Sequence, residues 1–217
     1  VPRVDTRFPL LRERHREANL EALGAIFADM AEDVQARFDT GAAVLLARRW
    51  DAALQAVLLD RNTNTAAEIA LRVANALGAD YDPAVMDAWL AENARIGSEN
   101  INASTRSKLD AAKSADDAAE AVSTVLDALR TSDAAMYAVS MVTSIAGFAA
   151  RDAAEKSGAA AKIWRTNSTN PRSLHKRMNG QSVPVGEKFS NGMDWPGDFE
   201  GGADEVAGCK CSLTILS

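Results

Sequence analysis

Cysteine is nearly absent from this chain: there are two in 217 residues, Cys209 and Cys211, one residue apart. A bridge between them would close a small strained ring, so the disulfide framework of a small secreted domain is excluded and a reducing compartment is expected. Histidine is as scarce, with only His15 and His175. Excess positive charge is also lacking. With 24 Lys and Arg against 30 Asp and Glu, a formal charge of −6 and a pI near 5.0, the chain is a poor candidate for whole-surface binding to nucleic acid, although a local basic patch remains open. It has no phosphate loop, dinucleotide fingerprint, H-E-x-x-H or serine elbow. Val1-Pro2-Arg3-Val4-Asp5 has no apolar stretch behind a basic start, so nothing reads as a secretory signal, and a start at Val1 rather than Met leaves room for a preceding piece. The least charged run, Ala134 to Ala150, is shorter than a membrane span and carries Ser140, Thr143, Ser144 and Gly147. It reads as a buried core helix, with no membrane partner.

What the chain does have is 47% apolar and 25% charged residues, enough for an ordinary packed domain with or without a small appendage. Composition changes near residue 160. From Leu10 to Ser157 there are five glycines and one proline, whereas the much shorter stretch from Lys162 to Ser217 holds seven glycines and three prolines. The reading is therefore α+β: a mainly α-helical region over 1–160 and a small antiparallel β-containing domain over 161–217.

In the first region Leu23, Ile26, Phe27, Met30, Val34 and Phe38 mark one stripe of a long helix starting near Thr6 or Pro9, interrupted by Asp39-Thr40-Gly41. Leu46 to Leu58 resume the period up to Asp60. Thr65-Ala66-Ala67-Glu68 has a capping-box pattern, which predicts a new helix stopped by Gly78. Asp82-Pro83 predicts an N-cap and first-turn proline for a helix ending at Gly97, Ser114 a further cap, and Ser132-Asp133 the start of a last helix running to Gly158. His15, on a charged helix, is expected to be solvated. In the second region, Lys162–Thr166, Gln181–Val185 and Cys211–Leu216 are strand candidates, Ser173–Met178 a short helix, and Trp164, Phe189 and Leu213 the core.

Most of the unusual chemistry sits in these last residues. Lys162, Arg165, Arg172, Lys176 and Arg177 fall within an acid-free stretch, suited to contact with DNA phosphates or an acidic partner; the bland alternative is a solvated face. His175, Cys209 and Cys211 carry zinc's preferred donors, with Asp198 or Asp204 as the fourth ligand such a site would need. Against zinc stands the one-residue cysteine spacing. The alternative has both cysteines packing as small apolar groups and His175 bonded to backbone, so no cofactor is the expectation and zinc the competing one. A Cys/His nucleophile pair would need a base within reach and an orienting group.

The order of these signals resembles a known family. A helix ending at Gly158, Lys162-Ile163-Trp164, Arg172-x-x-His175, Met178-Asn179-Gly180-Gln181, Val183-Pro184-Val185, Phe189, Gly192, Trp195-Pro196-Gly197-Asp198 and Cys209-Lys210-Cys211 together resemble the C-terminal domain of phage Mu F-like minor head proteins, the phage head morphogenesis family. The match covers roughly residues 132–217, with Trp164, Gly180, Gln181, Phe189 and Pro196 as motif and core positions. It departs from the family at Ala138-Val139-Ser140-Met141, where members often carry Ala-Arg-Thr-Glu, at Asn179-Gly180 for Asp-Gly, and at Lys210 for the arginine of Cys-Arg-Cys.

The resemblance implies a minor structural protein of a tailed-phage head or phage-derived particle, not an enzyme. Its expected partners are the portal protein and other head components, with double-stranded DNA touched, if at all, by non-specific contacts. It would reside in the virion, at the head interior or portal, and in the host cytoplasm during assembly. With six residues after Cys211, no fused effector is expected at that end. Two other classes compete: a small zinc- or cysteine-dependent enzyme acting on nucleic acid or cell wall, and a non-specific DNA-binding module.

Overall fold

Helix dominates the first 160 residues because apolar side chains recur there at three- and four-residue steps and glycine and proline are rare. A computed structural model of the chain describes residues 3–43 and 45–217; the start at Val1-Pro2 considered above lies outside them. A short strand β1 (Arg3–Asp5) leads into α1 (Pro9–Asp39) and then α2 (Arg49–Leu77). A 3-10 turn, Pro83–Met86, runs into α3 (Asp87–Lys113), then α4 (Ala118–Ala128), a π turn (Leu129–Asp133) and α5 (Ala134–Lys156). The rest comprises β2 (Ala161–Arg165), α6 (Ser173–Met178), β3 (Ser182–Pro184), α7 (Ala203–Val206) and β4 (Ser212–Leu216). The chain is mainly helical α+β, with one four-stranded antiparallel sheet in the order β1-β4-β2-β3.

Several expected helix ends differ from the observed ones, each for a local reason. Thr65-x-x-Glu68 does not open a helix. It lies inside α2, where no glycine or proline between Asp60 and Ala67 releases the backbone N–H groups that a cap would satisfy. Gly97 does not end α3: a Cβ there would meet Leu58 Cδ1 at 3.3 Å, so the glycine provides room for close packing. Asp117, not Ser114, caps α4, its carboxylate accepting the Glu120 N–H at 3.0 Å, while Ser114 Oγ donates back to the Asp110 carbonyl at the end of α3. Ser132-Asp133 lies in the π turn that carries α4 into α5 without a break. Asp82 does cap the turn at Pro83, accepting from Ala84 N at 3.0 Å.

The chain forms two compact units, and their division does not fall at residue 160. Unit one combines the segment up to Glu17, Asn62–Asp87 and Val139–Ser217; unit two combines Ala18–Arg61 and Ala88–Ala138. The physical reason is strand pairing: β4 bonds to β1 as well as to β2, with Val4 opposite Ile215, so the small sheet cannot be assembled from the last residues alone. Thr6 extends that edge, its hydroxyl donating to the Leu213 carbonyl at 2.8 Å and accepting from Leu213 N at 3.0 Å.

Unit two is helical throughout its regular structure. Leu23, Phe27, Met30, Leu54, Leu58, Leu90, Leu109, Val122 and Leu126 are buried, and Phe27 meets Tyr137 edge to face at 6.2 Å. Asp33 ties α1 to α2, accepting from Trp50 Nε1 at 2.9 Å and lying 2.8 Å from Arg49. In unit one the sheet is two-faced. Lys162, Trp164, Leu213, Ile215 and Val4 share the buried face, while Arg3, Asp5, Arg165 and Thr214 line a shallow cavity of about 400 Å³ on the other. The segment Ala118–Lys156 is long and apolar enough to cross a membrane by length and composition alone, yet every residue from Val142 to Ala150 is buried within the protein.

Candidate functional site

Three scarce donors converge in unit one. His175 lies on α6, and Cys209 and Cys211 immediately precede β4; all three are at least 97% buried. The His175 Nδ1 lies 3.7 Å from the Cys209 Sγ and 3.5 Å from the Cys211 Sγ. On the opposite side of the ring, Nε2 is 3.0 Å from a Glu205 carboxylate oxygen contributed by α7. The Trp164 ring closes over the imidazole edge to face at 5.6 Å and meets Phe189 at 5.2 Å.

Local structure explains how residues so far apart in sequence meet. Strand β2 sets Trp164 on the buried face. Gly180 then turns the chain with φ +88, which returns its N–H to the Trp164 carbonyl at 2.9 Å, while Gln181 offers its carbonyl to Trp164 N at 3.0 Å. Gln181 also accepts from Ser190 Oγ at 3.0 Å, which anchors the loop bearing Phe189. Ser140 and Thr143, one turn apart on α5, hold the cysteine segment: Gly208 N donates to Ser140 Oγ at 2.8 Å, and Thr143 Oγ1 donates to the Cys209 carbonyl. The Trp195-Pro196-Gly197 loop lies against the same helix. A Cβ on Gly147 would come within 2.8 Å of the Pro196 carbonyl, and one on Gly197 within 2.8 Å of the Ser144 backbone. Trp195 meets Phe148 at 5.3 Å.

The electrostatics separate the two thiols. A hydrogen bond from Cys209, then His175 and Trp164, pull the Cys211 thiol below its ordinary pKa against the effect of burial. Its bond to Cys211, then burial, pushes Cys209 up. Arg12, on α1, directs Nη1 to the Cys211 carbonyl at 3.5 Å, and burial lowers its guanidinium to about 10, which leaves it charged at neutral pH.

No protein-family model, curated protein or solved structure matches this chain. The resemblance to head morphogenesis proteins therefore rests on the residues themselves. Among its positions, Trp164, Phe189 and Pro196 are buried, and Gly180 and Gln181 form the turn behind β2. Asn179, where the family has aspartate, accepts from Thr166 N at 3.0 Å, a bond that needs an oxygen and no charge. Lys210 is exposed.

The basic residues do not form one patch. Lys162 is removed from any contact surface: its side chain is fully buried, with Nζ 3.5 Å from Asp194 and 5.4 Å from the Phe189 ring centre. It alternates in phase with Trp164, and that phase points inward. Arg165 bonds Thr214 Oγ1 at 3.0 Å on the open face of the sheet. Arg172 donates to the carbonyls of Glu205 and Ala207, while Lys176 and Arg177 are exposed on α6. Asp198 is not beside the cysteines; its carboxylate accepts from Asp194 N at 2.8 Å and Glu200 N at 3.2 Å. Asp204 also stands outside the cluster. His15 is buried rather than solvated, with Nε2 3.2 Å from Glu68. Glu205 and Arg12 went unrecognised as neighbours of the site. Glu205 precedes Cys209 by four residues and belongs to no motif that ties it to His175, and Arg12 is 199 residues from Cys211, a pairing that no local spacing signals.

Proposed function

We infer that the chain is a minor head protein of a tailed phage or phage-derived particle, a structural component that binds the portal or neighbouring head proteins and assists head assembly or the packaging and delivery of DNA. One observation carries this reading. The ordered residues that resemble the head morphogenesis family, from the helix ending at Gly158 to Cys211, lie in a single packed unit, from the Gly180 turn to the Trp195-Pro196-Gly197 loop seated on that helix. Scattered chance matches would have no reason to touch one another. The function follows from the resemblance, because a fold hosts many functions and a binding role has to be argued from its surfaces.

Two features weigh between this role and the competing ones. The thiols and imidazole of the cluster are buried, so a substrate has no direct approach to them, in contrast to a nucleophile that must meet its target. Contact with DNA phosphates falls to Arg165, Arg172, Lys176 and Arg177, since Lys162 is withdrawn from the surface. Co-expression with the portal protein of the same particle tests the reading. A complex of defined mass and stoichiometry that survives moderate salt is the expected result; a chain that purifies alone, monodisperse, with the portal present and folded, would count against it.

A further inference from the structure

We propose that His175, Cys209 and Cys211 hold a zinc ion through one imidazole nitrogen and two thiolates, pinning the start of β4 to α6 and α7. The geometry is that of a shared set of ligands. Both sulfurs face the same ring nitrogen, Nδ1, at 3.5 Å and 3.7 Å. That nitrogen has a single in-plane lone pair, so it cannot accept well-aligned hydrogen bonds from two thiols at once. A metal placed on the lone pair serves both sulfurs. Zn–S bonds of about 2.3 Å and a Zn–N bond of about 2.0 Å at tetrahedral angles put a ligating nitrogen about 3.5 Å from each sulfur, close to the two nitrogen–sulfur separations already present. The three donor atoms all lie within 4.8 Å of one another.

The surroundings fit a metal as well as the distances do. Glu205 lies 3.0 Å from Nε2, the nitrogen facing away from the sulfurs. A carboxylate placed beside the far nitrogen favours the tautomer that leaves Nδ1 free to ligate, a placement common around metal-bound histidines. Among the described residues, Nε2 and that carboxylate oxygen are both buried with no hydrogen-bond partner, so the two face each other at ion-pair distance. Two thiolates neutralise a divalent ion, so a buried site carries no net charge to desolvate. Soft sulfur with imidazole selects zinc over the hard cations that prefer oxygen. The acids expected as a fourth ligand, Asp198 and Asp204, are outside the cluster.

The site is independent of the head-protein reading, and its test uses zinc itself as the probe. The whole chain is purified under reducing conditions and its metal content measured. Cys209 and Cys211 are then alkylated with and without added zinc, and the cobalt(II) form is examined for thiolate charge-transfer absorption. The expectation is roughly one zinc per chain, thiols shielded until a chelator is added, and a cobalt spectrum typical of sulfur ligation in a tetrahedral field. Cys211→Ser and His175→Ala should each lose the metal. Glu205→Gln, which keeps the size of the side chain, should weaken zinc affinity by about 10-fold or more with the fold intact. Wild-type chain that is folded, holds no zinc after incubation with it and alkylates at one rate in its presence and absence would overturn the proposal.

Discussion

The ammonium of Lys162 lies against Phe189 on the buried face of the sheet, and Asp194 at 3.5 Å is its ion-pair partner among the described residues. At an effective dielectric of 20 that pair attracts by about 5 kcal/mol, while withdrawing an ammonium from water costs several kcal/mol. Burial wins, and the Lys162 pKa is held below its ordinary value although Asp194 opposes the shift. Because the folded value is depressed, the unfolded chain binds more protons at any pH between the two values. Stability should therefore rise as pH climbs through the depressed folded value toward about 10.4. Urea midpoints measured at about pH 7 and pH 9.5 should show that rise in the wild-type chain and lose most of it in Lys162→Met; an equal rise in both proteins would assign it to another group. This lysine also marks a limit of reading residues by type. In Lys162-Ile163-Trp164 the strand phase was legible, and a core Trp164 already turns Lys162 inward; what the sequence did not show is the partner of its ammonium, Asp194, which is distant along the chain. The donors of the His175 cluster could be named from their chemistry, since two cysteines and two histidines leave few combinations. Their common direction toward Nδ1 could not, because it is set by helix α5 through Ser140 and Thr143.

At the level of helices, the apolar period located α1, whose start falls at Pro9 of the two positions expected, and the short helix α6 runs over the residues expected, Ser173–Met178. The stop signals were less legible, because glycine has two uses that look alike in sequence. Gly78 and Gly158 end helices with positive φ, where the missing Cβ permits the left-handed turn. Gly97 and Gly147 lie within helices, where the missing Cβ admits a neighbour. The two interior glycines should respond differently to alanine. Replacement at Gly97 gains about 1 kcal/mol of helix propensity and meets only the flexible end of Leu58, so Gly97→Ala should fall within about 1 kcal/mol of wild type. At Gly147 the new methyl would strike the Pro196 carbonyl and Trp195, which cannot give way without moving the loop. Gly147→Ala should cost about 1–3 kcal/mol despite the propensity gain. Urea unfolding of the two variants side by side reads the difference, and equal midpoints would mean that the loop moves freely. The capping-box pattern at Thr65 misled for a related reason: a box is informative only where the preceding turn is absent, and α2 supplies that turn.

For the molecule as a whole, the change in composition at residue 160 is real but does not mark a unit that can stand alone. Strand β4 lies between β2 and β1, and the loop from Trp195 to Gly197 rests on α5, so residues 161–217 lack both an edge strand and a packing face. A fragment of those residues should be largely unfolded, with collapsed amide dispersion in its NMR spectrum, whereas the whole chain is dispersed; a folded fragment would show that β1 and α5 are dispensable. Composition could not reveal this, since three residues of β1, Arg3-Val4-Asp5, carry no strand signal until their partner is known.

The pairing of Arg3 with Leu216 also governs when the sheet can form during synthesis. At roughly 5–20 residues per second, β1 leaves the ribosome some 10–40 s before its partner is made. Throughout that interval it is an unpaired edge. Its brevity and its flanking charges, Arg3 and Asp5 on either side of a single valine, make it a poor template for any other strand, so the segment can wait without aggregating. Closure of the sheet is then a late, non-local event in the life of a newly made chain, and the nascent protein spends its first seconds as helices alone.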